Sequence, residues 1–413
     1  DVLDLGCGWG SFTLFAAERC PSSRFLAVSN SAPQRAFIEA RAAERGLTNV
    51  EVRTADANVF DPGRTFDRVV SIEMLEHVKN YERMLERVTD SVVADCDASF
   101  LSGWGLALWR VDRTLVARNA FDFCIRGYSH GVYNRGQDSA GILMFEQCSD
   151  NVVVRNSATH GGNGVFGFAG RAALGDVPEE QRRDAAWYRG RGCNGNLFAE
   201  NDFSHAAAHG LELTFSFGNR ITANAFTGNA ICGVWAGFSQ DTLIDGNELV
   251  GNGEAGYGLE RGGVNVEHGS GNRIVANVFR DNACGVHLWN DPAEGLYALP
   301  WGQANEPGSR DNAVIDNVFA GNETAIHLRD NGSLILAGNE LADAGATPID
   351  ADEASRAAIE RPAEIPGERL ERPPVDVDAI LAEAGIDPGR DPRGARAHLG
   401  GRAAILMNAY GPW

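Results

Sequence analysis

The residues best suited to acid–base chemistry are concentrated between positions 126 and 138, where the sequence reads RGYSHGVYNRGQD. An arginine could hold the carboxylate of a uronic acid sugar, and a histidine or tyrosine could then remove a proton from its C5 carbon. The arginine candidates are Arg126, Arg135 and Arg261, and the candidate bases are His130, Tyr133 and His209. This combination of residue types is compatible with lyase or epimerase chemistry.

Carboxylates offer a second chemistry, because a pair of them can act as acid and base in glycoside hydrolysis. The candidates are Asp138, Glu146, Glu212 and Glu267. A calcium site would need hard oxygen ligands converging from neighbouring segments, and no aspartate cluster has that spacing, so no metal site is predicted. The eight cysteines are scattered singly without a CxxC pair, which argues against a zinc cluster or a disulfide framework.

A third candidate feature is the recurring motif Gly-[Val/Leu]-x-[Leu/Val/Trp], in which the x side chain would point outward from a strand. The outward residues are Phe166, Glu212, Trp235, Asn265, His287 and His327. Aromatic and imidazole groups in one column indicate a groove that stacks on sugar rings, although polar columns also arise as plain solvated faces. Together these features predict a catalytic groove formed by His130, Tyr133, Arg135, Glu212 and His287.

An internal repeat supplies the elements that would position these residues. An asparagine followed two residues later by an apolar residue recurs at Asn119, Asn201, Asn224, Asn247, Asn277, Asn317 and Asn339, with a degenerate member at Asn156. Three spacings are 23, 23 and 22 residues, and a second asparagine follows at Asn229, Asn252, Asn282 and Asn322. Such a period, with short strands and tight turns, predicts the coils of a parallel β-helix. The asparagines are expected to form a buried ladder, and Val234, Val264, Val286 and Ile326 an apolar bore.

On these repeats, residues 93–350 resemble right-handed parallel β-helix proteins of the pectin-lyase-like group. The resemblance implies a mainly β protein, a right-handed parallel β-helix solenoid of about eight to ten coils. Such folds carry polysaccharide lyases, hydrolases, epimerases and pure binding proteins, so the implied partner is a polysaccharide or oligosaccharide. Two insertions, at residues 171–192 and 291–310, break the period and are expected to be either ordered loops that wall a groove or plain surface loops.

The first ninety residues have a different pattern, in which short apolar strands alternate with helices. The strand Asp1–Leu5 is followed by Gly6-Cys7-Gly8-Trp9-Gly10 and a helical segment, Ser11–Arg19. Glycines in such a turn let the backbone approach a ligand, and the helix N-terminus offers N–H groups. Further strands at Phe25–Val28, Val50–Thr54 and Phe66–Ile72 predict a doubly wound parallel sheet.

The segments VLDLGCGWG (2–10), AVSNSAPQRAFIEARAAERGL (27–47), TAD (54–56) and FDRVVSIEMLEHVKNYERML (66–85) resemble class I S-adenosylmethionine-dependent methyltransferases. The closest likeness is to the cyclopropane-fatty-acyl-phospholipid synthase group, over residues 1–88. It implies strand order 3-2-1-4 and S-adenosylmethionine as the cofactor. The implied cofactor residues are Asp4, Gly6 and Gly8 for the methionine and ribose part, Ser29 and Gln34 in the second-strand signature, and Asp56 at the adenine. Glu73, Glu76 and His77 would stand at the reaction centre. The family's sheet has seven strands and the pattern here stops after four, so a partial, Rossmann-like α/β segment with a partial cofactor site is expected.

Composition divides the chain in the same way. Of 49 glycines, 37 lie in residues 91–352, and so do 24 of 29 asparagines. We expect an α/β methyltransferase-like segment at 1–90, the β-helix at 91–352, and a Pro/Arg-rich linker with the start of a truncated further domain at 353–413. The net charge of −20 argues against nucleic acid or an anionic membrane as a partner, and no apolar run is long enough to predict a membrane span.

The expected function is a carbohydrate-binding or polysaccharide-modifying surface on the β-helix. The alternatives are a methyltransferase of the cyclopropane-fatty-acyl-phospholipid synthase type, incomplete in this chain, and a non-catalytic structural or adhesive solenoid. The β-helix favours a periplasmic or extracellular location, whereas the methyltransferase-like segment favours the cytoplasm. The chain is expected to be cut at both ends, since it starts inside a strand pattern and stops after Tyr410-Gly411-Pro412-Trp413.

Overall fold

The structure is a computed structural model divided into two compact units, Asp1–Ser91 and Val92–Trp413, which are described separately. It describes residues 1–56, 60–70, 90–125, 128–129, 132–133, 139–255, 261–291, 294–342, 348–362, 365–387, 389–405, 407–408 and 411–412. None of the helices in these ranges has the length and hydropathy that crossing a bilayer requires.

In the first unit, parallel strands alternate with helices. The elements are β1 (Val2–Leu5), α1 (Ser11–Arg19), β2 (Phe25–Ser29), α2 (Ala32–Glu44), β3 (Val50–Thr54) and β4 (Arg68–Val70). The strand order is β3-β2-β1-β4, which confirms the expected arrangement. Leu14, Ile38 and Val52 form one buried cluster and Leu3, Leu26 and Val28 another. The sheet therefore has an apolar core that holds the carboxyl ends of β1, β2 and β3 at one edge.

The second unit consists of stacked coils whose strands form three parallel sheets. The first sheet contains Trp104–Trp109, Ala140–Phe145, Asn163–Phe168, His209–Thr214, Cys232–Trp235, Gly262–Glu267, Val286–Trp289, Ile326–Arg329 and Ile349–Ala351. The second contains Val92–Ala94, Leu115–Ala117, Val152–Val154, Leu197–Ala199, Arg220–Thr222, Leu243–Asp245, Arg273–Val275, Asn312–Ile315, Leu334–Ala337 and Ile359–Glu360. The third contains Ala225–Thr227, Glu248–Val250, Val278–Arg280, Val318–Ala320 and Glu340–Ala342. These sheets are the faces of a parallel β-helix.

Shorter elements lie between the coils and along the C-terminal tail. The helices are Arg171–Leu174, Glu294–Ala298, Pro300–Asn305, Glu353–Ala358, Gly367–Leu370 and Val377–Glu383, and the 3-10 turns are Glu179–Gln181, Ala185–Tyr188, Ala397–Leu399 and Arg402–Ala404. Two antiparallel pairs join Tyr128–Ser129 to Val132–Tyr133 and Met407–Asn408 to Gly411–Pro412.

The interior of the β-helix is apolar, as predicted. Val234, Val264, Val286 and Ile326 are aligned on neighbouring strands and belong to one buried cluster. Phenylalanines add to it, and the rings of Phe279 and Phe319 stack with centroids 4.8 Å apart. Burial of these side chains is the main source of stability for each coil, at roughly 1.5–3 kcal/mol for a large apolar side chain.

The asparagine ladder is confirmed. The backbone N–H and the side-chain Nδ2 of Asn224 both donate to Oδ1 of Asn247, at 2.9 and 3.0 Å. The same pair of bonds links successive members of the series Asn119, Asn156, Asn201, Asn224, Asn247, Asn277, Asn317 and Asn339. A second ladder runs through Asn229, Asn252, Asn282 and Asn322. Each amide accepts from one coil and donates to the next, which a carboxylate cannot do.

The C-terminal tail packs along the β-helix. Val377 and Leu381, on the helix Val377–Glu383, are buried against Ala117, Val154 and Ala199 of the second sheet. Strand Ile359–Glu360 also extends that sheet beyond the expected boundary at residue 352. The described tail therefore covers the β-helix rather than serving only as a linker, while the expectation that a further domain begins there stays a prediction.

The tail also covers a stack of rings on the turns after the second sheet. Phe100, Phe123, His160 and His205 occupy left-handed turns, and their rings lie 4.9, 4.5 and 4.8 Å apart in that order. Nε2 of His160 lies 2.5 Å from the carbonyl oxygen of Gly400. Burial, then the positive charges of His160 and Arg402, lowers the pKa of His205 to about 4.

Replacing Asn224 with alanine is expected to lower the free energy of unfolding by about 3 kcal/mol, because buried donors and acceptors of two adjacent coils lose their partner. Urea denaturation followed by circular dichroism measures this. Asn224→Asp should also destabilise, because Nδ2 donates to the carbonyls of Phe198 and Thr222. Glu323→Ala, at an exposed position, is the control, and equal effects of Asn224→Ala and Glu323→Ala would contradict the ladder's role.

Stability is expected to fall as the pH drops from about 6.5 to about 4. The unfolded His205 takes up a proton near pH 6.5, whereas the folded one does so only near pH 4, so unfolding is favoured throughout this interval. Calorimetric melting at pH 7.5 and 4.5 measures the loss, and His205→Asn should reduce it because asparagine tolerates the left-handed turn. Burial raises the pKa of the neighbouring Asp202, which therefore also affects stability in this pH range. Comparing the wild type with His205→Asn separates the contribution of His205 from that of Asp202. An unchanged loss in His205→Asn would contradict this assignment.

Candidate functional site

The predicted column exists as a line of paired residues across the first sheet. Its members, here called the polar column, are Phe166, Glu212, Trp235, Asn265, His287 and His327, each paired with the next in the strand register. The line ends beyond His327 at Asp350. The period of the repeat therefore predicted correctly which side chains share this face.

The expectation that the whole column is exposed is wrong. Asn265 and His287 are 0% and 1% exposed, whereas the side chains of Glu212 and His327 are 15% and 16% exposed. The Asn265 amide explains part of this burial, since it lies 3.2 Å from Nδ1 of His287 and accepts from the Trp289 indole at 2.9 Å. Ile405 of the tail also packs in the cluster that contains Trp235. The middle of the column is thus a structural network, and its partly exposed positions, Glu212 and His327, are better suited to ligands.

Glu212 lies in the part of the column with the clearest acid–base geometry. Nδ2 of Asn163 donates to Glu212 Oε2 at 3.1 Å, and Nε2 of His209 lies 3.9 Å from the same oxygen. Asn163 also orients the neighbouring strand, because its Oδ1 accepts from the backbone N–H of His209 at 3.0 Å. The imidazole of His209 stacks on the indole of Trp235, with centroids 5.9 Å apart. A carboxylate, an imidazole and an aromatic ring therefore converge at one point.

The five residues of the predicted catalytic groove do not form one reaction centre in the described structure. Glu212 and His287 share the column but are three strand steps apart, which is about 14 Å at strand spacing. His130 and Arg135 lie outside the described residues. Tyr133 lies on the strand Val132–Tyr133, and its side chain is outside the described part. Glu212 and His287 could therefore contact different sugar units of one bound carbohydrate, but they cannot both act on the same bond.

Asn163 is a site residue that the sequence prediction missed. A signal for it existed, because Gly164-Val165-Phe166 aligns with Gly210-Leu211-Glu212 and so places Asn163 opposite His209. The insertion at residues 171–192 separates the two coils and hides this alignment.

The described parts of the two insertions pack on each other, whereas their expected role as walls of a ligand groove stays a prediction. The indole of Trp301 is fully buried and donates to the carbonyl oxygen of Arg191 at 2.8 Å. Asn305 accepts from the backbone N–H of Gly190 at 2.7 Å. The first insertion walls a cavity of about 400 Å³ lined by Arg110, Glu146, Trp187 and Arg191 among others. Arg110 pairs with Glu146 at 2.6 Å there, and the Arg191 guanidinium lies over the Trp187 ring.

In the first unit, the glycine turn after β1 has the geometry of a ligand cradle. Gly6, Gly8 and Gly10 have φ angles of 83°, 52° and 76°, which side chains disfavour. A Cβ atom at Gly8 would meet nothing within 4 Å, so the backbone faces open space there. This turn fits a ligand that needs close backbone approach, as the implied S-adenosylmethionine does.

The other implied cofactor residues lie along the same strands. Asp4 is 2% exposed and accepts from the Thr13 hydroxyl at 2.5 Å, and burial raises its pKa. The Ser29 hydroxyl at the end of β2 donates to Oε1 of Gln34 at 2.5 Å. Asp56 follows β3 by two residues. Glu73, Glu76 and His77 lie outside the described residues.

Two known families match separate parts of the chain, one in the first unit and one within the β-helix. The family described as "Methyltransferase domain" matches residues 2–94, and the family described as "Right handed beta helix region" matches residues 186–294. The chain is 44% identical over 94 residues to (S)-coclaurine N-methyltransferase of Thalictrum flavum subsp. glaucum, covering 23% of this chain and 26% of that protein. A probable fatty acid methyltransferase of Pseudomonas putida is 30% identical over 134 residues, covering 32% of this chain and 33% of that protein. The chain thus spans about a quarter to a third of the length of these relatives.

Two solved structures are also similar to parts of the chain. A coclaurine N-methyltransferase bound to N-methylheliamine and SAH is 45% identical, with a TM-score of 0.21, and covers 21% of this chain and 26% of that one. The A-module of the mannuronan C-5 epimerase AlgE6 from Azotobacter vinelandii is 13% identical, with a TM-score of 0.42, and covers 79% of this chain and 74% of that one. The chain therefore carries a methyltransferase-domain segment at its N-terminus, followed by a right-handed β-helix region.

Proposed function

We propose that the β-helix binds a carbohydrate chain on the polar column and modifies it at Glu212. The observation that carries this proposal is the convergence of Glu212, His209 and Trp235, with Asn163 holding the carboxylate. The side chain of Glu212 is 15% exposed, and its carboxylate can hydrogen-bond sugar hydroxyl groups. The buried Trp235 indole stacks on His209 and so helps to hold the imidazole beside this carboxylate. This activity would place the β-helix in a periplasmic or extracellular setting.

The proposed reaction class is proton transfer of the lyase or epimerase type. Glu212 is next to an imidazole, and a carboxylate–imidazole pair can pass a proton to or from a bound sugar. Hydrolysis would instead use two carboxylates flanking one bond. Of the other described carboxylate candidates, Glu146 is paired with Arg110, and Glu267 lies at the far end of a strand two coils away from Glu212. Proton transfer is therefore favoured over hydrolysis.

Glu212→Gln is expected to lower the rate of polysaccharide modification about 100-fold or more, while binding of the same polysaccharide is largely kept because the amide has the same shape. A panel of neutral and acidic polysaccharides is tested for binding by calorimetry, and for reaction by the ultraviolet absorbance of an unsaturated product and by NMR for epimerisation.

The matched control for that experiment is Glu248→Gln, an exposed glutamate on the third sheet that pairs with Arg280. It should behave as the wild type does. A wild-type protein that neither binds nor alters any polysaccharide would overturn the proposal, and so would full activity in Glu212→Gln.

As a second candidate function, we propose that the first unit binds S-adenosylmethionine. The support is the left-handed glycine turn with open space at Gly8, together with the 44% identity to an N-methyltransferase over this segment. When bound, the cofactor would supply a methyl group for transfer. Asp4, Gly6 and Gly8 would hold its methionine and ribose part, the two glycines through their backbone. Ser29 and Gln34 would lie beside it in the second-strand signature, and Asp56 would meet the adenine. This role would belong to a cytoplasmic protein.

Gly8→Ala is expected to weaken binding of S-adenosylmethionine and S-adenosylhomocysteine at least about tenfold, since one methyl group would occupy the ligand's space. Calorimetry on the whole chain measures the affinity. Gly46→Ala is a matched control, because Gly46 also has a positive φ, of 67°, and also faces open space. Absence of binding by the wild type, or equal affinity in Gly8→Ala and Gly46→Ala, would reject this function.

A further inference from the structure

We infer that Glu267, His268 and Asp291 form a binding site for a first-row divalent cation of the Zn²⁺ class. Glu267 ends the strand Gly262–Glu267, and His268 follows it at the turn. Asp291 lies one coil later, just beyond the strand Val286–Trp289. The site is separate from Glu212 and does not depend on the proposed carbohydrate function.

The three side chains place their ligand atoms together. Nε2 of His268 is 2.8 Å from Oδ1 of Asp291 and 3.6 Å from Oε1 of Glu267. All three ligand atoms lie within 4.8 Å of one another. A tetrahedral cation bonded at about 2.0–2.2 Å to each atom sets its ligand atoms roughly 3.3–3.6 Å apart. Glu267 already has this distance from Nε2, and Asp291 would move away from Nε2 by about half an ångström to admit the cation.

A chain of hydrogen bonds leads to Nδ1, the ring nitrogen of His268 that faces away from the carboxylates. Nδ2 of Asn290 donates to Asp330 at 2.9 Å, so Oδ1 of Asn290 is left as the acceptor. The Tyr297 hydroxyl donates to that oxygen at 3.2 Å. The same Tyr297 oxygen lies 3.2 Å from Nδ1 of His268 and can accept from it. With the proton on Nδ1, the Nε2 lone pair of His268 is available to a cation, whereas in the other tautomer Nε2 donates to Oδ1 of Asp291 at 2.8 Å.

In the tautomer with its proton on Nδ1, His268 directs the Nε2 lone pair at carboxylate oxygens. A lone pair and two negative charges repel each other unless a positive charge lies between them, and a divalent cation supplies that charge. A hydrogen bond from the second ring nitrogen is also what orients histidine ligands in metal sites. The alternative is a hydrogen bond from Nε2 of His268 to Asp291 without a cation, which the experiment below distinguishes.

The site is rigid on one side and open on the other. His268 is fully buried, its ring stacks on Phe238 with centroids 5.6 Å apart, and its backbone N–H donates to the carbonyl oxygen of Trp289 at 2.9 Å. The side chain of Asp291 is 48% exposed, which gives a cation access from solvent. One imidazole and two carboxylates favour a Zn²⁺-class ion over Mg²⁺ or Ca²⁺, which prefer oxygen ligands alone.

Titration of the chelator-treated full chain with Zn²⁺ tests the proposal. The wild type should bind one equivalent more than Asp291→Asn, or bind at least about tenfold more tightly, and should melt at a higher temperature with zinc present. Tyr297→Phe, which removes the acceptor for Nδ1, should weaken zinc binding about tenfold. Glu323→Gln, at an exposed position one coil further on, is the control and should match the wild type.

Repeating the titration with Co²⁺ separates this site from the eight free cysteines, because cobalt held by nitrogen and oxygen lacks the thiolate charge-transfer absorption. Equal stoichiometry and affinity in the wild type and Asp291→Asn would overturn the proposal. The proposal would also be overturned if the Co²⁺ bound by the wild type showed thiolate charge-transfer absorption.

Discussion

The asparagine ladder is the interaction on which the rest of the second unit depends. Each ladder amide accepts from the coil before it and donates to the coil after it, as Asn224 does between Asn201 and Asn247. A coil displaced by one residue would leave several buried N–H and carbonyl groups without partners, at about 1–3 kcal/mol each. The ladder therefore fixes how the strands of neighbouring coils are aligned, and the apolar bore fills the space that this alignment leaves.

Fixed alignment determines where chemistry can occur on such a surface. Residues in one column are about 4.8 Å apart from coil to coil, so only adjacent coils, or residues near each other on one strand, can act on the same bond. His209 and Glu212 satisfy this on one strand, and His268 and Asp291 satisfy it across two coils. Glu212 and His287 do not, although the same column carries both.

Much of this arrangement was predictable from the sequence because it is periodic. The spacing of the asparagines gave the coils, the ladder and the order of the polar column, and the glycine turn after the first strand gave the parallel sheet of the first unit. The burial of the polar column was not predictable from the repeat. Asn265 and His287 are enclosed by hydrogen bonds among neighbouring side chains, and Trp235 packs with Ile405, which lies about 170 residues further along the chain. The grouping of Glu267 and His268 with Asp291 was also missed. Their distance in sequence suggests separation, whereas one coil of the helix brings them into contact.

Hydrogen–deuterium exchange of the full chain, followed by mass spectrometry of its peptides, tests the central role of the ladder most directly. Peptides that contain Asn201, Asn224, Asn247 and Asn277 are predicted to exchange most slowly, because opening any one coil breaks bonds to both neighbours. Peptides from the tail around Leu381 should exchange earlier. Ladder peptides that exchange as fast as the tail would contradict the account.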